Sequence, residues 1–127
     1  MYKFVPVIRT ISNKRVMGIF SSKMAVDMSS PKAKEVLAII KKDKVVIFSK
    51  TYCPYCKMAK QVFDDLGVPY TSIELEVRDD GDEVQTILGQ ITGGRTVPRV
   101  FVNEKFIGGG TDVKALYEKG ELQKLVG

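Results

Sequence analysis

Two cysteines stand in Cys53-Pro54-Tyr55-Cys56, and the 127-residue chain has no others. A thiolate is the attacking group in thiol–disulfide exchange, and a free thiol is mostly protonated at neutral pH, so this chemistry needs surroundings that favour the anion. The residues on either side supply them. Val45-Val46-Ile47-Phe48 is a short apolar run of the kind that forms a strand buried on both faces. From Pro54 onward, Cys56, Ala59, Val62, Phe63 and Leu66 recur at helical spacing until Gly67. Cys53 thus falls at a strand-to-helix junction, where the positive end of the helix dipole and unpaired backbone N–H groups favour its thiolate. Lys50 and Lys57 add positive charge nearby, and Pro54, with no N–H to lose, suits the first helical turn. Cys56 lies one turn further in, on the face of Ala59 and Phe63, and is expected to be more buried and less ionised. The asymmetry assigns attack to Cys53 and resolution of the mixed disulfide to Cys56.

Composition removes the competing chemistries. The chain has no histidine, which excludes a Ser-His-Asp triad, a Cys-His pair and an imidazole base. A zinc site at the cysteines would lack two ligands, so no metal is expected. A structural disulfide closing so short a loop would constrain little of the unfolded chain. A CxxC pair between a strand and a helix therefore reads as redox-active.

The remaining pattern builds the frame for that site. Ser30 and Pro31 are a helix start, followed by an apolar face of Val36, Leu37, Ile39 and Ile40 up to Lys42. Residues 70–77 alternate loosely as a second strand. Val84, Ile87, Leu88 and Ile91 mark another helix, closed by Gly93-Gly94. Residues 99–102 and 105–107 read as a hairpin around Asn103-Glu104, a weaker turn than Asn-Gly. Glycines 108–110 lead into a last helical region through Val113, Leu116 and Tyr117, then Leu122 and Leu125. The strand-helix-strand unit implies a parallel pair and the hairpin an antiparallel one. The fold class is α/β: a mixed four-stranded sheet with helices on both faces.

Apolar residues make up 44% of the chain and charged residues 28%, enough to bury one domain's core. No apolar run approaches the roughly 18 residues of a membrane span, so no membrane association is expected. The formal charge is +5, but residues 1–30 hold five basic residues against Asp27 alone, and the rest is nearly neutral. The excess belongs to a leader, and no nucleic-acid surface is expected. That leader, residues 1–30, is basic, serine-bearing and poor in acids, which fits a mitochondrial presequence. A disordered cytoplasmic extension is the alternative, and Met17-Gly18 would fit a myristoylation pattern if translation began there. Residues 31–127 form the domain.

The Cys-Pro-Tyr-Cys tetrad, with Phe48-Ser49-Lys50-Thr51-Tyr52 before it, resembles the active site of the dithiol glutaredoxins. The likeness continues through Arg95-Thr96-Val97-Pro98 and Ile107-Gly108-Gly109-Gly110-Thr111-Asp112, in order and at matching spacing. It implies the thioredoxin fold, a cis Val97–Pro98 bond, and glutathione as reductant and co-substrate. By the same resemblance Thr96, Val97, Pro98 and Gly109 line a glutathione groove, with Val97 pairing the cysteinyl backbone and Tyr55 as a wall. Lys50 and Gln85 would hold the glycyl carboxylate, and Thr111 and Asp112 the γ-glutamyl end; Arg95 is nearby. Gly110 departs from the Cys, Ser or Asn of many relatives, and Glu104 from the usual glycine. The implied function is a glutathione-dependent thiol–disulfide oxidoreductase acting on protein–glutathione mixed disulfides and protein disulfides. Glutathione reductase would be the indirect electron source, and the protein is expected to be a monomer. The alternative is a carrier in which Cys53 and glutathione hold a [2Fe–2S] cluster, a role for which Pro54 makes the tetrad stiff. A thioredoxin-type role is disfavoured by the absence of Trp.

Overall fold

A computed structural model describes residues 28–127. The leader expected over residues 1–30, including Met17-Gly18, lies outside the described residues up to residue 27.

Ser30 opens the first helix, α1 (Pro31–Lys42), with its hydroxyl accepting the Ala33 N–H at 3.2 Å. Lys41 and Lys42 in its last turn complement the negative end of the dipole. The chain then enters β1 (Val45–Ser49), in which every residue is buried. Next come α2 (Pro54–Leu66), β2 (Thr71–Glu74), α3 (Gly81–Thr92), β3 (Arg99–Val102), β4 (Lys105–Gly108), α4 (Gly110–Glu118) and α5 (Glu121–Val126). Gly67 and Gly93 close α2 and α3 at φ 70° and 85°, where a side chain would be strained.

The strand order is β2-β1-β3-β4. β1 runs parallel to β2, with Phe48 opposite Ile73, and antiparallel to β3, with Phe48 opposite Arg99. Because strand side chains alternate, β1 feeds two cores. Val46 and Phe48 pack with α1 and α3 (Val36, Ile40, Val84, Ile87, Leu88), where Phe48 meets Phe101 edge-on at 5.8 Å. Val45 and Ile47 pack with α2, α4 and α5 through Val62, Phe63, Val113, Leu122 and Val126. The mixed four-stranded sheet with helices on both faces is thus present as read from the pattern.

Two local expectations change, and the hairpin around Asn103-Glu104 forms as expected. The strand expected over residues 70–77 ends at Glu74, and Leu75–Val77 form a 3-10 turn. Leu75 turns inward to 2% exposure, and the Gly81 backbone lies so close to its carbonyl that any Cβ there would collide. The last helical region is two helices, broken at Gly120 with φ 75°, so Leu122 reaches the core while Leu125 stays exposed. Asn103 and Glu104 both take positive φ, 49° and 71°, and the turn is held from outside. The Asn103 N–H donates to the Lys44 carbonyl at 2.7 Å and its side-chain amide to the Leu125 carbonyl at 3.0 Å.

A charged clamp fixes the turn ahead of α3. Asp80 accepts from Lys32 on α1 and from the Arg78 Nε, both at 2.7 Å. These two cations hold its carboxyl well below the usual carboxylate range, Arg78 contributing most.

Candidate functional site

β1 ends at Ser49, and the Cys53 N–H donates to the Lys50 carbonyl at 3.1 Å, so the loop between them is a single tight turn. Glu76 anchors this turn from the 3-10 segment: its carboxylate accepts both the Thr51 N–H, at 3.0 Å, and the Thr51 hydroxyl. The hydrogen bonds from Thr51 hold the Glu76 carboxyl below its usual value. Cys53 is the N-cap of α2, with φ −86° and ψ 118°, and Pro54 occupies the first helical turn.

The cap is made by sulfur. Cys53 Sγ accepts the Cys56 N–H at 3.4 Å, so the helix directs a backbone dipole at the thiol. The same Sγ lies 3.7 Å from the Val97 carbonyl oxygen, to which the thiol donates. Cys53 is partly exposed, whereas Cys56 is fully buried, and both are reduced. Burial, reinforced by the neighbouring Cys53 thiol, pushes Cys56 up to about 11, against opposing contacts from the Lys50 backbone and the Ser49 hydroxyl. The two sulfurs are therefore chemically unlike: one presented to solvent at a helix N-terminus, the other kept protonated beneath it.

Beside Cys53 runs a groove of about 500 Å³. Tyr55, half exposed, forms one wall; Thr96, Val97 and Pro98 form the floor, with the Val97–Pro98 peptide cis. Gly109, Thr111 and Asp112 close the far end at the start of α4. Of the nine residues singled out for glutathione, the structure gathers these seven in one groove. Asp112 uses one carboxylate oxygen to accept the Gly109 N–H at 2.9 Å, which shapes that end. Gly110 lets α4 approach α2, since a Cβ there would sit 2.7 Å from the Tyr55 carbonyl oxygen.

Lys50 and Gln85 stand elsewhere, in a second groove of about 270 Å³ bounded by Leu75, Glu76, Arg78 and Asp82. Gln85 donates through Nε2 to the Arg95 carbonyl, and so braces the segment that leads into Thr96. Arg95 lines neither groove, and its side chain passes over Gly89 of α3.

One residue of the groove was not anticipated. Arg99 lines it, donating to the Thr96 carbonyl and the Thr96 hydroxyl at 2.7 Å each, while its guanidinium lies 5.0 Å over the Phe106 ring. Burial pushes its pKa down and Asp112 draws it back up. The available signal was its isolation: Arg99 is the single charge in an apolar strand that directly follows Pro98.

Comparison with known proteins points to one family. The glutaredoxin family model matches residues 45–107. Glutaredoxin-C4 of Arabidopsis thaliana is 53% identical over 109 residues, covering 85% of this chain and 80% of the relative. The mitochondrial glutaredoxin-2 of Pongo abelii is 54% identical over 82 residues, covering 65% of this chain and 51% of that one. Among solved structures, oxidised glutaredoxin 2 from Chlamydomonas reinhardtii superposes with a TM-score of 0.71 at 48% identity, covering 73% of this chain and 88% of that one. A buckwheat glutaredoxin–glutathione complex gives 0.71 at 42%, covering 73% and 84%.

Proposed function

The chain belongs to the glutaredoxin family, with its thioredoxin fold and glutathione-dependent thiol–disulfide oxidoreductase activity, and from that premise we propose how its residues divide the work. Cys53 attacks the glutathionyl sulfur of a mixed disulfide; the bond to the substrate sulfur breaks, the substrate leaves as a thiolate, and Cys53 carries the glutathionyl group. A second glutathione thiolate attacks that group, releasing glutathione disulfide and the Cys53 thiolate. With a protein disulfide as substrate, Cys53 forms the mixed disulfide and Cys56 displaces the product, leaving an intramolecular disulfide that two glutathiones reduce. Glutathione reductase recycles the glutathione disulfide.

The observation that carries this reading is the unlike pair of sulfurs, with the exposed one 3.7 Å from the Val97 carbonyl at the floor of the groove. A glutathionyl group on Cys53 reaches that floor, where the Val97 backbone pairs its cysteinyl unit. Thr111 and Asp112 at the start of α4 receive the γ-glutamyl end, with backbone N–H groups for its carboxylate and Asp112 for its ammonium. The glycyl end extends toward the second groove, where Lys50 and Gln85 take its carboxylate. The oxidoreductase reading is favoured by the family and by both relatives, and no finding favours the cluster carrier. Adding oxidised glutathione to Cys56→Ser, in which the Cys53–glutathione disulfide cannot be resolved by the second cysteine, should move the amide resonances of Val97, Thr111 and Asp112 most; shifts centred elsewhere would refute this placement.

Relatives include mitochondrial glutaredoxin-2 proteins at 43–54% identity. Together with the basic, acid-poor first thirty residues, they support a mitochondrial location. A fluorescent fusion of the full chain should co-localise with mitochondria and that of residues 31–127 should not; identical distributions would count against a presequence.

A further inference from the structure

Two cations line the second groove, and one of them is engaged elsewhere. Arg78 gives its Nε and one terminal nitrogen to Asp80, at 2.7 and 2.9 Å, and reaches Glu35 at 3.3 Å. Lys50 forms no ion pair among the described residues, so it is the cation left to meet an incoming carboxylate. Where Lys50 stands depends on the turn it opens, which the Cys53 N–H closes on the Lys50 carbonyl at 3.1 Å. That turn lies beyond the end of the sheet. Ser49 and Glu74 are the last residues paired between β1 and β2, and two residues further along each chain Thr51 meets Glu76. The chain after β2 has by then turned into the 3-10 segment. In place of a backbone carbonyl, the Glu76 carboxylate takes the Thr51 N–H at 3.0 Å and the Thr51 hydroxyl with it. Glu76 itself stands on a fixed segment. Leu75 beside it is buried, the Arg78 N–H returns to the Leu75 carbonyl at 3.2 Å, and Asp80 ties the segment to Lys32 of α1.

We infer that Glu76, acting through Thr51, is a positioning residue for the glycyl end of glutathione: it holds the Lys50–Cys53 turn so that the Lys50 ammonium faces the second groove. The two ends of the turn differ in their other supports. Cys53 is the N-cap of α2, accepts the Cys56 N–H at 3.4 Å and lies 3.7 Å from the Val97 carbonyl oxygen. The helix and the groove floor therefore keep Cys53 in place without Glu76. Lys50 follows the last residue of β1 directly and takes its direction from the turn. Freeing Thr51 loosens Lys50 and leaves the reacting sulfur where it was. Glu76 acts here as a hydrogen-bond acceptor and not as a charge. It lines the groove itself, so its negative charge stands against a carboxylate there rather than for it. The two roles predict opposite signs when Glu76 is replaced by alanine.

This inference rests on the assignment of the glycyl carboxylate to Lys50, and a pair of substrates separates the two. One is the mixed disulfide of glutathione with cysteamine; the other is the same compound ending in glycinamide, alike in shape but without the carboxylate charge. kcat/KM for each disulfide reads its capture by the enzyme. The unmutated protein should favour the glycine form several-fold. Glu76→Ala should lower kcat/KM for the glycine form about fivefold, by loosening one charge-assisted contact, and leave the glycinamide form unchanged. Glu76→Gln, whose amide oxygen still accepts from Thr51, should lose nothing with either form. Equal losses with both forms in Glu76→Ala would mark a structural effect on the whole site, and a gain with the glycine form would mark Glu76 as a charge. Either result overturns the inference, as does no change in Glu76→Ala or a Glu76→Gln protein equally impaired. An unmutated protein that handles both forms alike would instead remove the glycyl assignment, and the inference with it.

Discussion

The unlike reactivity of the two cysteines can be read directly by alkylating the reduced, folded protein with iodoacetamide over a pH series and mapping the product by mass spectrometry. Burial pushes the Cys56 thiol from 9.0 up to about 11. At pH 7 about one molecule in ten thousand then carries the Cys56 thiolate, roughly a hundredfold fewer than for a thiol at its ordinary value. Full burial of the side chain removes access as well. Cys53 is partly exposed and receives the Cys56 N–H at the helix N-terminus, so it reacts alone. The expected product is a single modification on Cys53, with Cys56 labelled only after unfolding or as pH climbs toward about 11. The sign has a consequence for stability. A folded-state value raised above the unfolded one favours the folded state below the ordinary thiol value, an advantage lost as pH rises through about 11. Comparable labelling of both cysteines in the folded protein at pH 7 would refute this reasoning.

Asp80→Asn removes the acceptor shared by Lys32 and Arg78 and should cost about 1–2 kcal/mol at neutral pH, read as a lower midpoint in denaturant. Because the Asp80 carboxyl is held low, that advantage is present above the ordinary carboxylate range and fades as pH falls through it and below. The two proteins should therefore converge in acid, and a constant gap at every pH would show that Asp80 acts through packing. Arg99→Met frees the Thr96 carbonyl and hydroxyl that the guanidinium braces. It should raise KM for a glutathione mixed disulfide several-fold, for about 1 kcal/mol of lost positioning, with kcat little changed. A fall in kcat with KM intact would place Arg99 with the reacting sulfurs instead.

The fold was legible wherever one local rule decided the outcome. Ser30-Pro31 starts a helix, Gly67 and Gly93 end two, and the alternation of Val45 to Phe48 feeds both faces of the sheet because helices cover both. Leu75 escaped the pattern because alternation marks a strand and a lone inward turn equally well; the close approach of Gly81 to its carbonyl decides between them. The break at Gly120 escaped for a similar reason, since the apolar spacing continues across it while the backbone does not. At the site, the cysteine pair was legible from type and position. The separation of Lys50 and Gln85 from the main groove was not, because it depends on where the turn anchored by Glu76 places them. Arg99 was hidden because the groove it lines is completed by residues of α2 and α4, and the ring beneath its guanidinium, Phe106, belongs to β4.

The most direct test of the assigned roles is the turnover of a small glutathione mixed disulfide, with glutathione and glutathione reductase, by the unmutated protein, Cys53→Ser and Cys56→Ser. The account predicts activity in the unmutated protein and in Cys56→Ser, and none in Cys53→Ser. Activity that survives in Cys53→Ser, or that vanishes in folded Cys56→Ser, would contradict it.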